Sequence, residues 1–303
     1  MSQDHPTIGF AGAGTLGSAI IERLLASGFE LKAWNRSRDK LAPLLELGAS
    51  AEETSADLAR ESDVVITCVT DHRAVESVVF GPDGVASAGG SGKLLIDMSS
   101  SDAGKTREMA DRLEQACGMG WVDAPISGGA PAARNGSMAV MCGGSEANFA
   151  VAEPVLRHLA GALTLMGPVG AGQGTKMINQ VLVSCSLAVL AEACALAERA
   201  GVDALRIPEA LAGGRADSRL LQEFLPKMAK SDFSIEGSVS IMLKDLEMIH
   251  DLAETTGAVM PVTALVTQIN RQLVLYGLAD ADNSTIVNLY REDGLASIQG
   301  LGK

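Results

Sequence analysis

The run Thr7 to Gly17, TIGFAGAGTLG, constrains this chain more than any other segment. A short β-prone stretch ends in Gly12-Ala13-Gly14-Thr15-Leu16-Gly17, and an amphipathic segment, SAIIERLLASG, follows at once. Strand, tight glycine turn and helix in that order form the context in which a GxGxxG spacing means dinucleotide binding. Gly12 makes the turn, Gly14 lets the backbone approach a pyrophosphate, and Gly17 lets helix and strand pack closely. The first amides of the helix then face the phosphates, with the positive end of the helix dipole behind them. The bland alternative is a glycine turn needed only for packing.

The next strand, FELKAW, ends in Asn35-Arg36-Ser37. An Asp or Glu at this point holds the ribose 2′-hydroxyl of NAD and repels a 2′-phosphate. Asn35 removes that repulsion, and Arg36 offers a planar, permanently charged donor suited to phosphate. The turn is read as preferring NADP(H), with NAD(H) possible. Arg38 and Lys40 are read as ordinary solvated cations of a helix start.

Composition narrows the class. A chain of 303 residues is long enough for two domains, and 47% hydrophobic with 20% charged residues is usual for a packed globular protein. The net charge of −13, with no basic tract to offset it, excludes a nucleic-acid or anionic-membrane surface. The polar start, MSQDHPT, is read as no signal peptide. Apolar stretches broken by Gly, Glu or Gln are read as no membrane span, and the expected location is cytoplasmic. Cys68, Cys117, Cys142, Cys185 and Cys194 are odd in number, without CxxC pairing, and read as reduced. His5, His72, His158 and His250 lack metal-ligand spacing, so no metal is expected.

Alternation sets the architecture. DVVITCV and KLLIDMS are near-continuous apolar runs, as in strands covered on both faces. Helical stretches (RDKLAPLLELG, a second ending near Arg60, HRAVESVVF, Lys105 to Cys117, Glu146 to Leu159) separate these from WVDAP, SMAVMCGG and ALTLMG. The pattern predicts an α/β, doubly wound, mostly parallel sheet. Near Gly170 the texture changes. GAGQGTKMINQVLVSCSLAVLAEACALAERAG is a glycine-rich start followed by a long helix, on the order of 40 Å at 1.5 Å per residue. RIPEALAGG, SRLLQEFLPKMAK, SVSIMLKDLEMIHDLAETTG, PVTALVTQINRQLVLYG and NSTIVNLYRE continue as helices. The expected domains are 1–168, holding the sheet, and 169–303, all helical and entered by the long helix. Residues 293–303 are expected to fray.

Two polar clusters interrupt this pattern. Lys176, Asn179 and Gln180 stand at i, i+3 and i+4, so they share one helix face. Polar side chains in a helix rich in Leu, Val and Ala are expensive to bury without use. A lysine near a helix N-terminus also feels the unfavourable end of the dipole, which favours acid–base work. Surface exposure of Lys176, with Asn179 solvating a turn, is the competing reading. The second cluster is Asp123-Ala124-Pro125-Ile126-Ser127-Gly128-Gly129, read as an exposed loop able to hold a carboxylate by backbone amides and the Ser127 hydroxyl.

Together these pieces resemble the β-hydroxyacid dehydrogenases, among them 3-hydroxyisobutyrate dehydrogenase and the tartronate, glyoxylate and succinic semialdehyde reductases. The resemblance spans essentially the whole chain. It rests on Gly12 to Gly17, Asp97-Met98-Ser99-Ser100, Asp123 to Gly129, the run Gly170 to Gln180, and Lys244-Asp245-Leu246 in that order. It implies a Rossmann domain followed by a helical domain, with the active site in the cleft between them. It further implies Lys176 as general acid and base, with Asn179 and Gln180 orienting the lysine and substrate. Ser127, Gly128 and Gly129 would grip a substrate carboxylate. Ser100 would stand beside the nicotinamide ribose, Val69 and Thr70 would line the cofactor channel, Lys244 would reach the cofactor, and Asp245 would support the substrate cleft. Without the resemblance, Lys244-Asp245 reads as a surface ion pair worth little.

The Asn-Gln pair at 179–180 and the segment Gly213 to Arg219 look like tartronate semialdehyde reductase. Members acting on small semialdehydes commonly carry phenylalanine where this chain has Gly237, which implies a roomier pocket and a bulkier substrate. An imine reductase shares the architecture and the Asn-Arg turn, but such enzymes typically lack the lysine found at 176. A non-catalytic NADP-binding interaction domain has no need of a proton donor. A long Ala- and Leu-rich helix would expose apolar surface if it stood alone, and the resemblance implies a homodimer or homotetramer.

Overall fold

The computed structural model describes residues 5–291 and Gly294. Most of the MSQDHPT start and of residues 293–303, and with them the expected fraying, lie outside the described residues. The chain divides into two compact units, with the division falling between Lys176 and Met177.

In the first unit strands and helices alternate. β1 (Ile8–Ala11), α1 (Thr15–Ala26), β2 (Leu31–Trp34), α2 (Ala42–Glu46), β3 (Ser50–Ala51), α3 (Ser55–Arg60), β4 (Val64–Thr67), α4 (His72–Phe80), β5 (Leu94–Asp97) and α5 (Ala103–Cys117) come first. β6 (Gly120–Asp123), β7 (Ile126–Ser127), α6 (Gly129–Asn135), β8 (Met138–Gly143), α7 (Glu146–Leu156) and β9 (Ala160–Gly167) complete it. The strands form one sheet in the order β3-β2-β1-β4-β5-β6-β8-β7, with β9 on β8. From β3 to β6 every pairing is parallel; β8 runs antiparallel to β6 and β7 and parallel to β9. Sequence alternation explains the two-sided burial. Ile8, Phe10, Val64, Ile66, Leu94 and Ile96 enter one core, while Ala11, Val65 and Leu95 enter the core on the other face.

Side-chain caps start most of the crossover helices. Thr54, Asp71, Asp102 and Ser145 each accept a hydrogen bond from the amide three residues on, opening α3, α4, α5 and α7. α1, like α2 and α6, has no side-chain cap, and its N-cap residue is Gly14.

The second unit is helical. α8 (Ala171–Ala200) carries the chain through the division between the units, followed by α9 (Ile207–Leu211), α10 (Arg219–Lys230), α11 (Val239–Thr256) and α12 (Pro261–Leu275). Leu187, Ala191, Cys194, Leu225, Met228, Val239, Leu246, Ile249 and Leu273 form its core. By length and composition alone α8 could cross a bilayer, against the reading of broken apolar stretches, and half of its most apolar stretch is buried within the protein. Core helices of soluble proteins pass the same test.

Four local expectations need correction. RDKLAPLLELG opens as a 3₁₀ turn, Arg38–Leu41, before α2 begins. NSTIVNLYRE is 3₁₀ over Asn283–Leu289 rather than α-helical. The glycine-rich start of the long helix is itself helical from Ala171, because Gly172 lets it lie against backbone: a Cβ there would stand 2.4 Å from the Met141 carbonyl oxygen. The segment Asp123 to Gly129 is no simple exposed loop. Asp123 to Ile126 are buried, Ile126 and Ser127 pair with Val140 and Ala139, and α6 starts at Gly129.

Candidate active site

Five parallel strands end in one row. Trp34 lies opposite Ala11, Ala11 opposite Thr67, Thr67 opposite Asp97 and Asp97 opposite Asp123. The loops leaving that row carry Gly12 to Gly17, Asn35 to Ser37, Val69 and Thr70, and Ser99 to Ser101. Strand order reverses between β1 and β4, and in open parallel sheets ligands bind outside the carboxyl ends at such a reversal.

The glycine turn is built to be approached. Gly12 has φ +117°, and a Cβ there would stand 2.2 Å from the Cys68 carbonyl oxygen. A Cβ on Gly17 would stand 2.0 Å from the Gly12 carbonyl oxygen. Gly14 is the opposite case: it is exposed, and a Cβ there would meet nothing within 4 Å. Ala13 is buried, Thr15 exposed and Leu16 half-buried at the uncapped start of α1. Open space over Gly14 and uncapped helix amides behind it fit a dinucleotide pyrophosphate.

Asn35 does local work. Its Oδ1 accepts from Ala13 N at 2.9 Å, and its Nδ2 donates to the Ser37 carbonyl at 2.8 Å, fastening the end of β2 to the glycine turn. Arg38, exposed as expected, forms a two-pronged surface pair with Glu53. Arg36 is exposed and forms no ion pair among the described residues.

Beneath the loops lies a buried polar layer. Asp97 Oδ1 accepts from Thr67 Oγ1 at 2.8 Å and from Ser99 N at 3.0 Å, while its buried Oδ2 has no hydrogen-bond partner among the described residues. Ser99 Oγ accepts from Val69 N at 3.0 Å, joining the β4 and β5 loops. Asp123 accepts from Gly170 N at 2.8 Å and Gln173 N at 2.9 Å. Gln173 donates from Nε2 to the Ser99 carbonyl at 2.8 Å and accepts at Oε1 from Ser101 N at 3.0 Å. Burial pushes the carboxyls of Asp97 and Asp123 up to about 6, against the pull of the hydrogen bonds each accepts. Lys176, in the second turn of α8, is 8% exposed. Its surface-exposed reading is therefore set aside.

In the helical unit, Asn179 Nδ2 donates to Gln180 Oε1 at 2.9 Å, and Gln180 Nε2 donates to Asp245 Oδ2 at 2.6 Å. Asp245 is 2% exposed and its Oδ1 lies 3.3 Å from Lys244 Nζ. The pair is not the surface ion pair that the dipeptide alone suggests. Gly237 precedes α11, where its amide lies 3.3 Å from Asp282 Oδ2, and a Cβ there would stand 3.1 Å from Asn283 Nδ2.

Comparison with known proteins identifies the family of both units. Residues 7–167 match the family described as the NAD binding domain of 6-phosphogluconate dehydrogenase, and residues 170–290 match the NAD-binding family of NADP-dependent 3-hydroxyisobutyrate dehydrogenase. The chain is 32% identical to 2-hydroxy-3-oxopropionate reductase of Escherichia coli, covering 92% of this chain and 95% of that protein. It is 31% identical to 2-(hydroxymethyl)glutarate dehydrogenase of Eubacterium barkeri, covering 97% of each. The solved structure of Mycobacterium tuberculosis 3-hydroxyisobutyrate dehydrogenase with L-serine superposes with a TM-score of 0.86 at 28% identity, over 94% of this chain and 99% of that one.

The chain belongs to the β-hydroxyacid dehydrogenase family. It is an NAD(P)-dependent oxidoreductase with a Rossmann-type sheet followed by a helical domain. In this β-hydroxyacid dehydrogenase the structure brings the glycine turn, Asn35, Val69 and Ser99 to Ser101 to one edge of the sheet. It also joins Asn179, Gln180, Asp245 and Lys244 in one polar chain. Thr70 and Gly128 are exposed, and Ser100, Ser127 and Gly129 are half-buried. Thr67 escapes a reading from sequence, and Ser99, Asp123 and Gln173, though they lie in the quoted runs, carry no local sign of the contacts they make. Their only signal is polarity inside apolar surroundings, and their partners lie far away in the chain. Among the described residues no group of three or more His, Cys, Asp and Glu side chains could hold a metal.

Proposed function

We propose that this enzyme uses NADPH to reduce a small aldehyde- or keto-carboxylate to the corresponding β-hydroxyacid, with Lys176 as proton donor. The observation that carries the reading is the buried Lys176 on α8, one helical turn before Asn179. A bound nicotinamide supplies or accepts hydride; the remaining work belongs to the chain's own residues. Gly12 to Gly17 would hold the pyrophosphate, and Asn35, Arg36 and Ser37 the adenosine ribose with its 2′-phosphate. Val69, Thr70, Ser100 and Lys244 would flank the rest of the cofactor. Lys176 Nζ would give a proton to the carbonyl oxygen during reduction and take it back from the hydroxyl in the reverse direction. Asn179 would orient that amine. Ser127, Gly128 and Gly129 would grip the substrate carboxylate, with Gln180 and Asp245 behind Asn179.

Gly237 supports a substrate larger than glyoxylate. The relatives acting on 2-hydroxy-3-oxopropionate and on 2-(hydroxymethyl)glutarate bracket the size range. Gly237→Phe should penalise the larger acid more than the smaller; equal losses would sink the idea. Ile178, Leu182, Val189 and Leu196 on α8 are each more than 60% exposed, which supports a homodimer or homotetramer. Free cysteines throughout the described residues suit a reducing, aqueous compartment.

The deciding experiment follows oxidation of NADPH, with NADH in parallel, against glyoxylate, tartronate, succinic and methylmalonate semialdehydes. Turnover that Lys176→Met abolishes supports the proposal. Silence from protein shown to bind NADPH points instead to an imine substrate or a non-catalytic role.

A further inference from the structure

Gln173 is fully buried, yet neither the glycine turn nor the polar chain on the helical unit uses it. Its side-chain amide closes on two backbone groups, the Ser99 carbonyl and the Ser101 amide, which flank Ser100 on either side. Its own backbone amide is held by Asp123, whose other oxygen holds Gly170 N. Gln173 also stands three residues before Lys176, on the same face of α8.

We infer that Gln173 is a positioning residue, a strut that fixes the Ser99–Ser101 loop against the turn of α8 that carries Lys176. The chemistry singles out glutamine. The site needs one donor, toward the Ser99 carbonyl, and one acceptor, toward the Ser101 amide, at the end of a long side chain. Methionine fills the same volume and supplies neither. An ionised glutamate accepts from Ser101 and turns a second acceptor on the Ser99 carbonyl. A protonated glutamic acid restores the donor. Leaving either backbone group buried and unpaired is costly, so the loop shifts when the amide is lost. A shift on the order of 1 Å between a cofactor-side loop and a proton donor is enough to slow chemistry about a hundredfold. This role rests on the proposed part of Lys176 in proton transfer, but the loop anchoring does not.

Gln173→Met, Gln173→Glu and Lys176→Met separate the two. Three quantities are measured from acid to alkaline pH: NADPH affinity by fluorescence, deuterium uptake at Ser101, and NADPH-dependent reduction of tartronate semialdehyde. Gln173→Met should raise Ser101 exchange and weaken NADPH by about tenfold each, with kcat falling about a hundredfold. Gln173→Glu should bind and turn over close to the wild type in acid, then lose both as the carboxyl ionises, a dependence that a purely space-filling residue would not create. If Gln173→Met does not fold, Gln173→Glu carries the test alone. Wild-type exchange and affinity in Gln173→Met, or a Gln173→Glu profile parallel to the wild type, overturns the strut. Lys176→Met should leave NADPH affinity and Ser101 exchange untouched; turnover persisting there refutes the proton-donor reading and leaves the loop readouts to decide the strut.

Discussion

Gln180 Nε2 donates to Asp245 Oδ2 over 2.6 Å, and this one contact sets the direction of two amides. An ionised carboxylate only accepts, so Gln180 must present its nitrogen to Asp245 and its oxygen to Asn179. Asn179 then donates from Nδ2, at 2.9 Å, which leaves its Oδ1 as the atom that can accept. Gln180 is thereby a link between Asn179 and Asp245 rather than a group turned wholly to substrate. Asp245→Asn removes the rule, because a carboxamide can present either atom. A hydrogen bond to a charged group is worth about 1.5–3 kcal/mol, so kcat should fall about ten- to a hundredfold with a smaller change in KM. Steady-state kinetics beside a melting curve check this; a KM effect alone would return Gln180 and Asp245 to direct substrate binding.

Gly12 and Gly14 should fail in different ways. Gly12 combines φ +117° with a carbonyl oxygen 2.2 Å from any added Cβ, so Gly12→Ala strains the fold itself and should cost about 3 kcal/mol or more of stability. Gly14 has φ −77° and open space, so Gly14→Ala should melt with the wild type while binding NADPH at least about tenfold more weakly. Melting temperature and NADPH affinity together separate the two variants. Undiminished binding by Gly14→Ala would move the pyrophosphate elsewhere.

Arg36 tests cofactor preference. Arg38 is engaged by Glu53, whereas Arg36 is exposed and forms no ion pair among the described residues. Arg36→Ala should raise KM for NADPH about ten- to a hundredfold and leave NADH nearly unchanged, since only NADPH carries the 2′-phosphate. Parallel changes for both cofactors would contradict the assignment.

Asp97 makes stability depend on pH. Its carboxyl ordinarily ionises near 3.8, and burial pushes it up to about 6. Between those values the native state holds a proton that the unfolded chain has lost, so this group's contribution to stability falls as pH rises and is fully lost above about 6. The size is on the order of 3 kcal/mol. Asp97→Asn keeps an acceptor for Thr67 and Ser99 and cannot ionise. Its stability relative to the wild type should therefore improve from about pH 4 to about pH 7 by that order. Chemical denaturation at both pH values measures it; a constant difference would show that Asp97 ionises normally.

Local structure was readable from the chain alone. The strand–turn–helix around Gly12 to Gly17 involves neighbours in sequence, as do the apolar runs of β4 and β5 and the i, i+3, i+4 spacing of Lys176, Asn179 and Gln180. Such patterns follow from backbone geometry, which repeats along the chain whatever lies across from it. The sequence also determined the broad architecture, since alternating strands and helices have few ways to cover a parallel sheet.

Tertiary structure alone decided the rest. Asp123 anchors the start of α8 from 47 residues away, and Gln173 clamps a loop more than 70 residues earlier. Gln180 finds Asp245 across 65 residues. β7 exists only because two residues, Ile126 and Ser127, meet Val140 and Ala139. Glycines open α8 because close backbone contact outweighs their poor helix propensity. A buried polar side chain takes its meaning from its partner, and the partner is chosen by how the chain packs rather than by its neighbours in sequence.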